Sequence, residues 1–210
     1  MKTLYFSTKY IYNQPKLGIM KLKKTLLTGF ICIVSIMGSY AQEHLMFKDI
    51  ALNGDIKSFA NELVKQGFVI VEPKATIIAL SGNFVNRKCE VFVCSTKKSN
   101  NVWKVAVYLP KEFNWQSIKK DYQSLKEQFI KKYGNGKAQE YFTLPYFEGD
   151  EYEMQAINLE KCHYQIYWQT KEGSISLTIS KYGQIMISYE DAINTLLDDK
   201  EKAEEIKKDI

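Results

Sequence analysis

The chain predicts an α+β domain built on a mainly antiparallel sheet with its helices on one face. Three observations lead there: two amphipathic helical stretches, a series of short strands that alternate apolar with polar residues, and tight turns between those strands. Ile56, Phe59 and Leu63 fall on one face of a helix over 55–67, with Asn53 or Asp55 placed to cap its start and Gly67 to stop it. Strands follow near 68–72, 76–85, 88–95 and 102–109. A longer helix over 114–133 keeps Trp115, Ile118, Tyr122, Leu125, Phe129 and Tyr133 three or four residues apart, begins behind Asn114 and ends at Gly134. Further strands are expected near 138–143, 152–159, 162–169, 174–180 and 184–189, before a last helix over 190–206. The short connections at 97–101, 171–173 and Tyr182-Gly183 require antiparallel hairpins. Ile175, Leu177 and Ile179 alternate with Ser174, Ser176, Thr178 and Ser180, so that strand shows one face to a core and one to water. The last helix is apolar only at Ile193, Leu196 and Leu197, and its charged remainder up to residue 210 is expected to protrude or fray.

The order suggests two helix-plus-strands repeats, about 46–110 and 111–190. Asp55 to Phe68 resembles Asp121 to Gly134. Lys88-Cys89 heads a run ending in Thr96-Lys97, as Lys161-Cys162 heads one ending in Thr170-Lys171. The second copy then carries about seven extra residues, within 141–153.

Ahead of this domain, Lys21, Lys23 and Lys24 precede an apolar run from Leu26 to Met37 and the small-residue site Ser39-Tyr40-Ala41. That is the basic, apolar and small-residue order of a secretory signal cleaved after Ala41, with Met20 as the true start. A spanning anchor needs about 20 apolar residues, and this run is shorter and broken by Gly29 and Gly38. The mature chain, 42–210, is read as one periplasmic or secreted domain with no membrane span.

Export changes the charge. The sequence carries +5, from 29 Lys+Arg and 24 Asp+Glu, yet residues 1–41 hold six lysines and no acid, leaving 23 bases against 24 acids. A nearly neutral domain whose only arginine is Arg87 lacks the positive field and forked donors that gather nucleic acid.

Three cysteines remain in the mature chain, and outside the cytoplasm a disulfide persists. Cys89 and Cys162 both point to the core from apparently equivalent strands, so they are the candidate pair; the alternative is that both are small buried apolar groups. Cys94 lies on the opposite face.

No chemistry announces itself. His44, at a frayed mature N-terminus, and His163, inside an alternating strand, are the only histidines. The usual zinc, calcium-loop, serine-hydrolase and phosphate-loop patterns are absent, and nothing calls for a cofactor or a metal. The unusual stretch is 141–153, where Glu148, Asp150, Glu151 and Glu153 mingle with Tyr146, Phe147 and Tyr152. Its acids suit a Ca²⁺ module or a carboxylate-dependent glycan hydrolase with rings as a stacking floor; the plainer reading is a solvated loop. Tyr146, Phe147, Glu148, Asp150 and Tyr152 are the candidate ligand-binding residues.

With its leader ending Ser39-Tyr40-Ala41-Gln42, its Lys-rich mature part and the opening Met46 to Asp55 before a helix, the chain resembles uncharacterised exported proteins of Bacteroidetes bacteria. Its layout also resembles, more loosely, the duplicated α/β units of the β-lactamase-inhibitor-protein and SmpA/OmlA classes. That second resemblance implies a protein-binding role, although the lipid-attachment Cys of the SmpA/OmlA class is missing. The expectation is a non-enzymatic exported domain that meets an envelope protein or a glycan through an uncovered sheet face and the 141–153 loop.

Overall fold

The computed structural model describes residues 43–209; the leader read over 1–41 lies outside the described residues. After a two-residue hairpin of β1 (Met46–Phe47) and β2 (Ile50–Ala51), helix α1 (Ile56–Lys65) leads into the meander β3 (Val69–Pro73), β4 (Ile77–Phe84), β5 (Arg87–Ser95) and β6 (Val102–Tyr108). Helix α2 (Trp115–Tyr133) then leads into β7 (Lys137–Phe142), β8 (Cys162–Gln169), β9 (Gly173–Ile179) and β10 (Ile185–Asp191), with the short helix α3 (Glu153–Asn158) between β7 and β8 and α4 (Ala192–Asp209) last.

All eight strands from β3 to β10 join in one antiparallel sheet ordered β3-β4-β5-β6-β10-β9-β8-β7. Helices α1 and α2 are thus each followed by four strands that start at a free edge and end at the middle, where β6 meets β10. Register makes the core explicit. Ile70, Leu80, Val91, Val107, Ile187, Leu177, Ile166 and Ala138 are partners in one line across all eight strands. From Leu80 to Ile166 that line is buried, and it meets Phe59 and Leu63 of α1 and Ile118, Tyr122 and Leu125 of α2 in one hydrophobic cluster. Each such side chain contributes roughly 1.5–3 kcal/mol through burial, so the spacing legible in the sequence is what fixes both helices to this face. Asp55 accepts from the N–H groups of Lys57 and Ser58, and Asn114 from that of Ser117, as the capping residues promised.

Two elements correct the reading above. Residues 153–158 form helix α3 and not a strand: Glu153, Ala156 and Ile157 are its buried residues, at the three and four spacing of a helix face. And α4 does not protrude. The Glu201 carboxylate accepts from the N–H groups of Lys98 (2.6 Å) and Ser99 (3.0 Å) and from the Ser99 hydroxyl in the β5–β6 turn. Glu204 and Glu205 pair with Lys98 and Lys97 alongside, so charge docks this helix in place of apolar area.

His44 is no frayed end either. Asp191 is fully buried and accepts from Leu45 N–H (2.9 Å), Ile193 N–H (3.1 Å) and Asn194 N–H (2.9 Å), with His44 Nδ1 at 3.1 Å. One carboxylate therefore caps α4 and ties down the chain entering β1.

A helix ahead of four strands occurs twice, the second time with α3 inserted between β7 and β8, but the sequence landmarks do not follow that order. Cys89 lies on the third strand of its meander and Cys162 on the second of its own, so their strands are not equivalent.

Candidate functional site

The residues singled out over 141–153 are brought to one corner of the molecule, where the loop after β7 passes the N-terminal end of α2, and most of their polarity is spent on building that corner. The Glu148 carboxylate takes the Lys119 ammonium and the Tyr164 hydroxyl (3.1 Å). Lys119 chiefly, with Tyr164 adding, holds it below the usual carboxylate range against the opposing cost of burial. Asp150 accepts from its own loop, Phe147 N–H at 3.0 Å and Tyr152 N–H at 2.8 Å, and buried Glu153 accepts from Gly149 N–H at 2.8 Å. Among the described residues no three or more His, Cys, Asp or Glu side chains converge as a metal would require. Of the four acids only exposed Glu151 makes no such bond among the described residues. The loop itself is what these carboxylates hold together.

Its rings are divided. Tyr146 is half-buried against the core, whereas Phe147 and Tyr152 are each 59 % exposed. With Pro145, Asp150 and Gln155 they line a shallow depression of about 500 Å³.

The candidate disulfide does not form. Cys89 and Cys162 are free and buried, and β5 and β8 stand four strand positions apart. At about 4.8 Å per position their Cα atoms are far beyond the roughly 7 Å a bridge spans. Burial pushes the Cys89 thiol up to about 11 and the Cys162 thiol up to about 12, the latter helped by Glu148 and Glu153, so both are protonated at neutral pH. His163 stacks on Tyr141 (4.7 Å between ring centroids) and meets Thr143 Oγ1 at 3.1 Å, on β8 and four strands from Cys94. His163 therefore cannot serve Cys94 as a base.

The more open surface is the sheet face turned away from α1 and α2. Partner residues across it run Ala79, Phe92, Ala106, Ser188, Ser176 and Tyr167, beside a second line of Ser81, Glu90, Tyr108, Met186, Thr178 and Gln165. The face is split by chemistry. Over β4, β5 and β6 it presents Ile77, Ala79, Phe92, Cys94, Ala106 and Tyr108 with Ser81, Glu90 and Lys104 among them; over β9 and β8 it presents Ser174, Ser176, Thr178, Gln165 and Gln169 around Tyr167. At the centre small Ala106, paired with Ser188, leaves a trough beside the edge-to-face pair Phe92–Tyr108 (5.5 Å). Phe92, Cys94, Lys104, Ala106 and Tyr108 are among the residues lining a depression of about 390 Å³ there. Alternation along single strands locates this face; its split into halves depends on β6 lying beside β10, which no local pattern announces.

No known protein family matches the chain, and no curated protein and no solved structure matches it.

Proposed function

We propose that this chain is an exported, non-enzymatic binding domain that receives a protein partner of the cell envelope on its uncovered sheet face. The observation that carries the reading is the trough at Ala106, walled by Phe92 and Tyr108 on the more apolar half of that face. A projecting apolar or aromatic side chain of a partner fits there, and desolvated pockets of this kind concentrate binding energy in few residues. The Ser, Thr and Gln rows of the other half supply a polar flank around it. The basic, apolar and small-residue order of residues 21–41 supports export, and the layout resemblance to protein-binding α/β units points the same way, although fold alone does not decide function. The engagement of Glu148 by Lys119 and Tyr164, and of Asp150 and Glu153 by their own loop, favours binding over carboxylate-driven hydrolysis.

The test compares the protein with its Ala106→Arg variant, which fills the trough with a charge while leaving the core face alone. Partners co-purifying from the native envelope fraction are identified, one is purified, and its affinity for both forms is measured. The expected result is at least 100-fold weaker binding to Ala106→Arg at a temperature where its circular dichroism matches that of the unaltered protein. A partner that binds both forms equally and is lost instead on Phe147→Ala/Tyr152→Ala would move the contact to the 141–153 loop and sink this reading, as would a glycan ligand there.

A further inference from the structure

On the helix side of the sheet, the β1–β2 hairpin, the β4–β5 turn and the C-terminal half of α2 enclose a pocket of about 330 Å³, separate from both surfaces above. Its floor is aromatic. Phe129 and Tyr189 are almost wholly buried, Phe84 and Tyr133 half-buried, and Phe47 behind them stacks on Phe84 (5.6 Å) and meets Tyr189 edge-on (5.2 Å). The floor is thus a fixed surface of rings and not a mobile loop. Met46, 47 % exposed, lies at the side as an adaptable thioether.

Charge at the mouth is unbalanced. Lys48 and Lys132 line it from opposite elements, the hairpin and α2, and neither makes an ion pair among the described residues. Asp49 is the single acid lining the pocket. The two ammonium groups lie over rings instead, Lys48 5.4 Å from the Phe68 centroid and Lys132 5.1 Å from that of Tyr133. Across the rest of the domain, lysines such as Lys97, Lys98, Lys104, Lys119, Lys126 and Lys181 do find a carboxylate.

The mouth is also held in an uncommon backbone shape. Lys48 and Asp49 (φ 49° and 62°) and Val85 and Asn86 (φ 46° and 61°) are left-handed pairs in two-residue hairpin turns. Val85, a β-branched residue in a region that suits Gly or Asn, lines the pocket. A pocket of this size, apolar within and with few convergent polar groups, has the features of a small-molecule site.

We propose that this pocket binds a small planar aromatic anion, its ring on the Phe84, Phe129, Tyr133 and Tyr189 floor and its carboxylate or sulfonate between Lys48 and Lys132. This is independent of the envelope partner and of the sheet face that receives it. The probe is naphthalene-2-sulfonate, titrated into the protein by calorimetry and followed at the Met46 methyl resonance, with the neutral 2-naphthalenemethanol as its uncharged counterpart. Saturable one-to-one binding is expected. It should be at least 10-fold tighter than for the neutral probe, weakened at least 10-fold in Lys48→Gln/Lys132→Gln, and unchanged in Ala106→Arg. Absence of saturation at millimolar probe, equal affinity for the two probes, indifference to the double lysine variant, or loss in Ala106→Arg would each overturn it. Both lysines are surface side chains without ion-pair partners, so the double variant retains the fold, and an unchanged Tm verifies that.

Discussion

Asp191 joins more of this molecule than any side chain the sequence singled out. Three N–H groups and the His44 ring converge on it at a position without solvent, so Asp191→Ala removes a helix cap and orphans the Leu45 N–H together. A loss of about 3 kcal/mol is expected, read as a lower urea midpoint at unchanged m. Glu148 gives a pH signature. Its carboxyl is held below the usual 4.5 chiefly by Lys119, so the folded state binds fewer protons than the unfolded one across that interval and stability rises with pH there. The contribution is complete above pH 4.5 and is lost as pH falls through the lower, folded value. Half-exposure of the pair keeps it small. Protection factors of the 143–152 amides should therefore fall as the pH is lowered from 5 to 3 more than those elsewhere, and Glu148→Gln should remove that excess. Neither residue's role was legible in the chain: the acids of 141–153 stood out by density, but their partners Lys119, Tyr164 and the Phe147 and Tyr152 amides belong to other elements or to a fold of the loop that density does not encode.

Helices α1 and α2 and all eight strands of the main sheet were readable, because amphipathic period, caps and turn residues agree with one another at each of them. Where they disagreed, the reading failed. Residues 153–158 carry a helical spacing too short to stand out from the strands around them, and the charged half of α4 has too little apolar area to suggest docking. What secures α4 is a turn 100 residues away whose successive Lys98 and Ser99 N–H groups form a ready acceptor site for Glu201. Replacing Glu201 by Ala leaves those two N–H groups to water and frees residues 199–209. The expected cost is about 1–2 kcal/mol, with faster hydrogen exchange both at 97–101 and along the last two turns of α4 but not in α1. Uniform exchange changes across all helices would count against a local clamp.

At the level of the whole molecule, the fold class and the sheet's one covered face followed from composition and alternation, while the order of strands did not. The Lys-Cys landmarks aligned Cys89 with Cys162 by sequence, yet pairing put four strand positions between them. Position in a sheet is decided by which strands meet, and here the deciding pair is β6 with β10, joined through Val107 and Ile187, Ala106 and Ser188, and Val105 and Tyr189. The trough on the open face and the unbroken core line on the covered one both depend on that pairing. An unreduced sample, unfolded in denaturant, should accordingly show Cys89, Cys94 and Cys162 all reactive to a thiol reagent, with Cys89 and Cys162 unreactive before unfolding.

The central seam has one more implication. Every other contact between strands of the main sheet is made by neighbours in the chain, so each meander assembles its ladder from within, and only β6–β10 spans the two. Two molecules that open at residues 109–114 and trade their C-terminal portions would restore every ladder bond with the other's seam. Concentrated refolding should therefore yield an exchanged dimer that separates only through unfolding, and a longer, more flexible connector at Pro110 to Phe113 should suppress it.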